Sequence, residues 1–349
     1  MRALFRRALP LLVGALALFL ALKGIDLRDL AVRTADASLG TLLLVSAGMA
    51  LLNCAADTLA MYYVFRWFGL PLRFVELYII RAATYTLAVI NYHAGQLGII
   101  GYIHRCGKVP LSSASAYILF IVGVWVMLLL LFASGSLVLG GPKAAALLPA
   151  LVAFFVGLLV YAALLTWPPR FLLTEPPAAS HKADFAERLF RRLWRIAHKL
   201  WVPLHQAGVW GHVRALGIRI PHLLVLLFWH YIALRCFSIN VPFHVALLYL
   251  PVVFAVTSLP ISVQGLGTSQ LAAVFFLSDG TEVGNNKVLA YSLTMTAIST
   301  VSLLLMGFLF LRAGARLGLK EMTAEAEADE KEEERQDSLT EALPFHKTI

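Results

Sequence analysis

Charge is scarce in this sequence: Asp, Glu, Lys and Arg make up 14% of its 349 residues, against 60% apolar ones. Soluble domains carry about a quarter charged and roughly half apolar residues, so no soluble core could hide this much apolar surface. The mean hydropathy of +0.78 points the same way. Cysteine is also rare. Cys54, Cys106 and Cys236 lie far apart without C-x-x-C spacing, which indicates neither a zinc site nor a disulfide framework. A P-loop, a G-x-S-x-G elbow and an H-E-x-x-H pair are missing too. Their absence removes sequence support for ATP-driven transport by this chain alone, for serine hydrolysis and for zinc hydrolysis. His198, His205 and His212 recur at intervals of seven, but seven helical residues separate side chains by about 10 Å, too far for one ion. The expectation is therefore no metal, no cofactor and no enzymatic activity.

Long apolar runs are what the sequence does have. Several exceed the ~18 residues that cross a hydrocarbon core about 30 Å thick, and a run this long satisfies its own backbone in lipid only as helix. The expected fold is an all-α, polytopic membrane bundle of about six spans. Arg2, Arg6 and Arg7 precede residues 8–22, read as a first span because Leu20-Ala21-Leu22-Lys23 offers no small-x-small cleavage site. Residues 39–65, 113–139, 144–166, 221–237 and 288–311 supply the others.

Charge distribution orients these spans. Residues 321–349 hold ten acids and three bases, which leaves 26 bases against ten acids in residues 1–320. A basic membrane body reflects topology, since Lys and Arg gather on the cytoplasmic side, and no nucleic-acid partner is expected. Residues 167–219, with nine bases and three acids, read as a cytoplasmic loop. Parity then requires 74–105 and 243–277 to enter and leave the bilayer from one side each, as re-entrant helical hairpins of opposite sense. The first is broken at Asn91-Tyr92-His93-Ala94-Gly95, the second at Pro260 and Gly265-Leu266-Gly267. Paired interruptions in two halves are the pattern of an inverted-repeat transporter, while two ordinary kinked helices would fit the same pattern with different loops. The halves are residues 1–166 and 220–320, both termini are cytoplasmic, and the expected location is the bacterial inner membrane.

Two pieces lie outside the bilayer. Within the loop, residues 184–201 form an amphipathic helix capped by Asp184 with Glu187; Leu189, Leu193, Ile196 and Leu200 share a face, while Arg188, Arg191, Arg192, Arg195 and Lys199 occupy the rest. Such a helix lies on anionic headgroups or packs beneath the bundle. The acidic tail, residues 321–349, reads as disordered or as a solvated helical extension.

Ionisable residues inside spans are functional candidates because their burial costs several kcal/mol unless paired or hydrated. Asn53 and Asp57 share a helix face, and Arg81 and Arg235 lie in apolar segments. One reading is a polar cavity where arginines attract an anion and Asp57 balances one of them. The other is an interhelical salt bridge such as Asp57 with Arg81. Asn91, His93, Gln96 and Gly98 would form one hairpin tip, and Gln264, Gly265, Gly267, Ser269 and Gln270 the other. Free amides of a helix starting near Thr268 would suit an anion.

The string Leu259-Pro260-Ile261-Ser262-Val263-Gln264-Gly265-Leu266-Gly267-Thr268-Ser269-Gln270 resembles the LP-x-S-x-G-GLG-x-x-E signature of the flippase-like transmembrane family, which includes the membrane domain of lysylphosphatidylglycerol synthase/flippase. Residues 91–115, with Gly98, Arg105, Gly107, Val109 and Ala114, resemble its LP-x-R-x-G-E motif and the segment after it. Gln270 replaces the family's second glutamate and Gly98-Ile99 its Gly-Glu, while His93 and Gln96 stand where proline and arginine are usual. The resemblance implies a lipid flippase, and a basic cavity lacking both acids suits an anionic phospholipid or a lipid-linked phosphate. A non-transporting subunit that holds lipid for a glycosyltransferase or lipid-modifying enzyme is the alternative. An intramembrane transferase would need Asp57 as its acid or base.

Overall fold

A computed structural model describes residue 19, residues 27–90, 92–139, 143–174, 185–258, 262, 265–278 and 280–341. Every regular element among them is helical: α1 (Leu27–Asp36), α2 (Leu39–Trp67), α3 (Phe74–Ile90), α4 (Tyr92–Cys106), α5 (Leu111–Leu139), α6 (Ala144–Thr166), α7 (Phe185–Cys236), α8 (Phe243–Ser258), α9 (Thr268–Leu277) and α10 (Glu282–Glu341), with one further turn at Arg170–Leu173. Five stretches are long and apolar enough to cross a membrane: Leu39–Trp67, Leu111–Val138, Ala144–Thr166, Glu187–Cys236 and Val283–Leu317. They overlap five of the expected spans, the fourth starting well before the expected residue 221; of the expected first span, residues 8–22, only residue 19 is described. The chain is an integral membrane protein of helices.

The bundle is organised around α7, which runs antiparallel to α2. Backbone and side-chain contacts mark the register from one end to the other: Ser38 N–H donates to Cys236 O (3.2 Å), Trp229 Nε1 to Ser46 Oγ (2.9 Å), and Gly211 faces the Trp67 ring. In lipid there is little hydrophobic drive between helices, so small residues and polar links of this kind hold the interface. A Cβ at Gly211 would fall 1.8 Å from Trp67 Cη2, so only glycine admits that ring in this pose.

Helix α7 is longer than the sequence predicts for its membrane part. Gly208 has non-helical φ 61° and ψ −177°, a conformation glycine adopts without a Cβ penalty. It divides α7 into a first limb from Phe185 and a second limb ending at Cys236. The second limb begins well before Pro221, so the stretch up to Arg219, expected in the basic loop, continues as helix into the expected span, within a segment long and apolar enough to cross a membrane. The first limb coincides with the expected amphipathic helix; Leu189, Phe190, Leu193 and Ile196 are exposed on it. It is tied down by His198 Nδ1 against Leu172 O (2.8 Å) and His205 Nδ1 against Leu165 O (3.1 Å).

The shorter helices pair. Helices α3 and α4 lie antiparallel, with Gly95 against Ala88, Gly98 against Thr84, and Gly107 against Leu70 at the open end. Helices α8 and α9 likewise pair, with Tyr249 stacked on Phe276 (5.2 Å) and Gly265 against Thr257. Both pairs pack on α10, α3 most extensively. Among the described residues they share no extended interface of their own. Helix α10 then continues to Glu341, so the acidic segment up to that point is a helical extension of the last span.

Close approach of α3 and α10 depends on Gly307 and Gly314. A Cβ at Gly307 would meet Thr86 Cγ2 at 2.5 Å and Thr86 N at 2.8 Å, and one at Gly314 would meet Ala83 Cβ at 2.9 Å. The backbone atom of Thr86 cannot give way. Gly307→Val should therefore lower stability in detergent by about 1–3 kcal/mol, the usual cost of overpacking. Gly123→Ala, where a Cβ meets nothing within 4 Å, should leave it unchanged. Thermal unfolding of the two variants checks both.

Candidate functional site

Asp57 is buried where α2, α3 and α7 meet. Its Oδ2 accepts from Arg81 Nε at 2.6 Å, and its Oδ1 accepts from Arg219 Nη1. The four polar residues of this cluster are enclosed: Asp57 is 2% exposed, Arg219 5%, Arg81 7% and His222 8%. Aromatic faces wall the guanidiniums in. Arg81 lies over Tyr85, with Cζ 4.9 Å from the ring centroid, and Arg219 lies over Trp125 on α5 at 5.6 Å. Such faces attract a cation through the ring quadrupole and keep water away from it.

His222, one turn after Arg219, completes the group. Its Nδ1 is 3.3 Å from Arg219 Nη1. A guanidinium only donates, so in this contact Nδ1 is the acceptor of a neutral imidazole; the same nitrogen lies 3.9 Å from Asp57 Oδ1. Among the described residues, two guanidiniums thus share one carboxylate beside a neutral histidine, a sum of one positive charge. Neighbouring chain offers little relief, because no acid occurs in residues 77–174 or 188–278. Counting along the helices at 1.5 Å per residue, the cluster lies about 10–17 Å from the end marked by Trp67, Phe74 and Gly208. That is the end rich in bases, with Arg66, Arg73 and Arg105 on the adjoining segments.

Both readings of Asp57 and Arg81 meet here: the salt bridge exists, yet it belongs to a group with surplus positive charge. Arg219, His222 and Trp125 escaped sequence reasoning. Pro221 followed by a long apolar run is the ordinary signature of a helix start, since proline is well tolerated in a first turn. That signature placed Arg219 just outside the span. The one available hint was that residues 209–220 are themselves mostly apolar, with Val209, Val213, Leu216 and Ile220 on helical spacing.

Arg235 is elsewhere. It is exposed at the opposite end of α7, 16 residues or about 24 Å beyond Arg219, and donates to Tyr231 Oη (2.7 Å) and Asn240 Oδ1 (2.8 Å). Arg81 and Arg235 do not converge. At the first hairpin, Gly98 packs on Thr84, while Gln96 is buried with Oε1 lacking a hydrogen-bond partner among the described residues. Asn53, one turn before Asp57, has a buried Oδ1 in the same condition. Asn91 and Gln264 lie outside the described residues, as does the side chain of His93.

At the second hairpin the tip is tied internally. Gly265 and Gly267 have φ of 72° and 83°, the left-handed region that glycine enters freely. Gln270 Oε1 accepts from Gly267 N–H (2.6 Å) and Ser269 Oγ (3.2 Å), and Nε2 donates to Thr296 Oγ1 on α10 (2.9 Å). The side chain of Gln270 thus covers an amide expected to be free for an anion. Its amide group both accepts and donates here, which an ionised glutamate could not do.

The family described as Lysylphosphatidylglycerol synthase TM region matches residues 7–307 of the chain. No curated protein and no solved structure matches.

Because one carboxylate serves two guanidiniums, the variants should differ in cost. Asp57→Asn leaves two buried like charges without a counter-ion and should lower stability by about 3–5 kcal/mol, whereas Arg219→Gln leaves a neutral Asp57–Arg81 pair and should cost clearly less. Thermal unfolding of both in the same detergent measures the difference; equal losses would contradict a shared counter-ion.

Proposed function

We propose, given that this chain belongs to the lysylphosphatidylglycerol synthase TM region family, that it moves an anionic phospholipid or a lipid-linked phosphate between leaflets. The observation that carries this reading is the enclosed pair Arg81 and Arg219 sharing the single carboxylate of Asp57. A surplus charge in a bilayer interior costs several kcal/mol, which makes it a default candidate for a substrate path. A phosphate entering between α2, α3 and α7 would relieve it with charge-assisted hydrogen bonds, for which guanidinium geometry is suited.

On this reading α3–α4 and α8–α9 are re-entrant hairpins of opposite sense. Support comes from their lengths, 17 and 15 residues for the first pair and 16 and 10 for the second, which at 1.5 Å per residue fall short of a core about 30 Å thick. It also comes from Leu70 meeting Gly107 at the open end of the first pair. The base-rich end, where α2 finishes and α3 starts, would face the cytoplasm of a bacterial inner membrane. Headgroups of that leaflet would then lie nearest the cluster. Movement would take place around α10, on which both hairpins pack, and Arg235, Gly265, Gly267, Ser269 and Gln270 would act on the opposite side of the path.

Reconstitution in vesicles tests the proposal. Labelled anionic phospholipid or polyprenyl phosphate should cross faster with the protein than without it, and Arg219→Gln should reduce that rate about tenfold or more, as expected for losing a buried charged contact. Retention of the lipid without any gain in crossing would favour a subunit that presents lipid to a partner enzyme. Crossing undiminished by Arg219→Gln would remove the cluster from the path.

A further inference from the structure

The cluster holds an anion of its own, and its charge count has a consequence for selectivity. We propose that Asp57 sets the valence of the headgroup: the site matches a phosphodiester of one net negative charge and disfavours both zwitterions and phosphomonoesters. This inference rests on the reading of the cluster as the headgroup site, and within that reading it selects the anionic phospholipid over polyprenyl phosphate, which is a phosphomonoester.

Two guanidiniums, one carboxylate and a neutral imidazole sum to one positive charge. A monoanionic headgroup brings that sum to zero. A phosphomonoester, at about −1.5 to −2 near neutral pH, overshoots it. A zwitterion leaves the surplus in place and adds an ammonium that needs an acid, yet Asp57 is the only acid in residues 37–75 and already accepts from both arginines. Enclosure makes the count decisive. At the few per cent exposure of these side chains, water and salt screen little, so each uncancelled charge retains its interior cost. The walls are the aromatic faces of Tyr85 and Trp125, which tolerate cations and supply no anion of their own. Asp57 is thus a positioning and selectivity residue, holding both guanidiniums in place while cancelling one of their charges.

The experiment uses the full chain in nanodiscs containing equal parts phosphatidylglycerol, phosphatidic acid and phosphatidylethanolamine, with the lipid retained after delipidation quantified by mass spectrometry. Wild-type protein should retain phosphatidylglycerol over either other lipid by about tenfold, the specificity scale of one uncompensated buried charge. Arg219→Gln, whose cluster is neutral, should lose that enrichment. Asp57→Asn, with two positive charges, should shift retention to phosphatidic acid. Where Asp57→Asn fails to fold, the double variant Asp57→Asn/Arg219→Gln carries the test: Arg81 alone restores one positive charge, and preference for phosphatidylglycerol should return. A structural role would not produce that return.

Failure takes separable forms. If wild type enriches no anionic lipid and Arg219→Gln changes nothing, the headgroup site itself is refuted. If anionic lipid is retained and lost with Arg219→Gln, but the double variant stays as indifferent as Arg219→Gln, the site stands and charge matching falls. Displacement of retained lipid by millimolar glycerol phosphate would assign the site to a free phosphate and overturn the lipid source.

Discussion

A carboxylate shared between two guanidiniums is the contact on which the middle of this molecule depends. Asp57 comes from α2, Arg81 from α3 and Arg219 from α7, so two consecutive helices and one far along the chain are fixed at one point. In water each ion pair would contribute about a kilocalorie or less. Between helices in lipid the alternative to pairing is an isolated charge, and the pairing becomes obligatory. Everything near it follows. Trp125 and Tyr85 lie against the cations, His222 is held neutral beside Arg219, and the α2–α7 register runs from this point to Ser46–Trp229 and on to Ser38–Cys236.

The periphery obeys a different rule. Helix α6 exposes Leu148, Val152, Phe155, Val156, Leu159 and Val160, which suits a lipid-facing helix and needs no protein cover. The interior instead combines small residues that permit close approach with polar links that set position. Gly307 and Gly314 bring α10 onto α3, and Gln270 ties the turn before α9 to Thr296 on α10. Helix α10 consequently contacts both hairpins, although they share little surface with each other. This makes α10 the natural element through which a change at one hairpin would reach the other.

Gln270 meets the polar demands of the turn before α9 with an uncharged group. At the position where the resembling signature has glutamate, an amide both accepts at Gly267 and donates to Thr296. Two polar groups are satisfied without introducing a charge into the bilayer. The charged chemistry of the chain is thereby concentrated at Asp57, Arg81 and Arg219 rather than at the hairpin tip.

Composition and run length determined the class: a helical membrane protein whose five described spans fall where hydropathy places them, since a bilayer forces long apolar runs into helices of known length. Local signals also marked the amphipathic helix that precedes Gly208, the glycines of the hairpins and the candidacy of Asp57 and Arg81. Tertiary structure alone decided the partner set. Arg219 lies 162 positions from Asp57, on the part of α7 that precedes Pro221. Arg235, equally conspicuous in sequence, lies at the far end of the same helix. Sequence records which charges are present in apolar segments, but the sum of charge at one point depends on which helices cross there, and that is set by packing between elements distant in the chain.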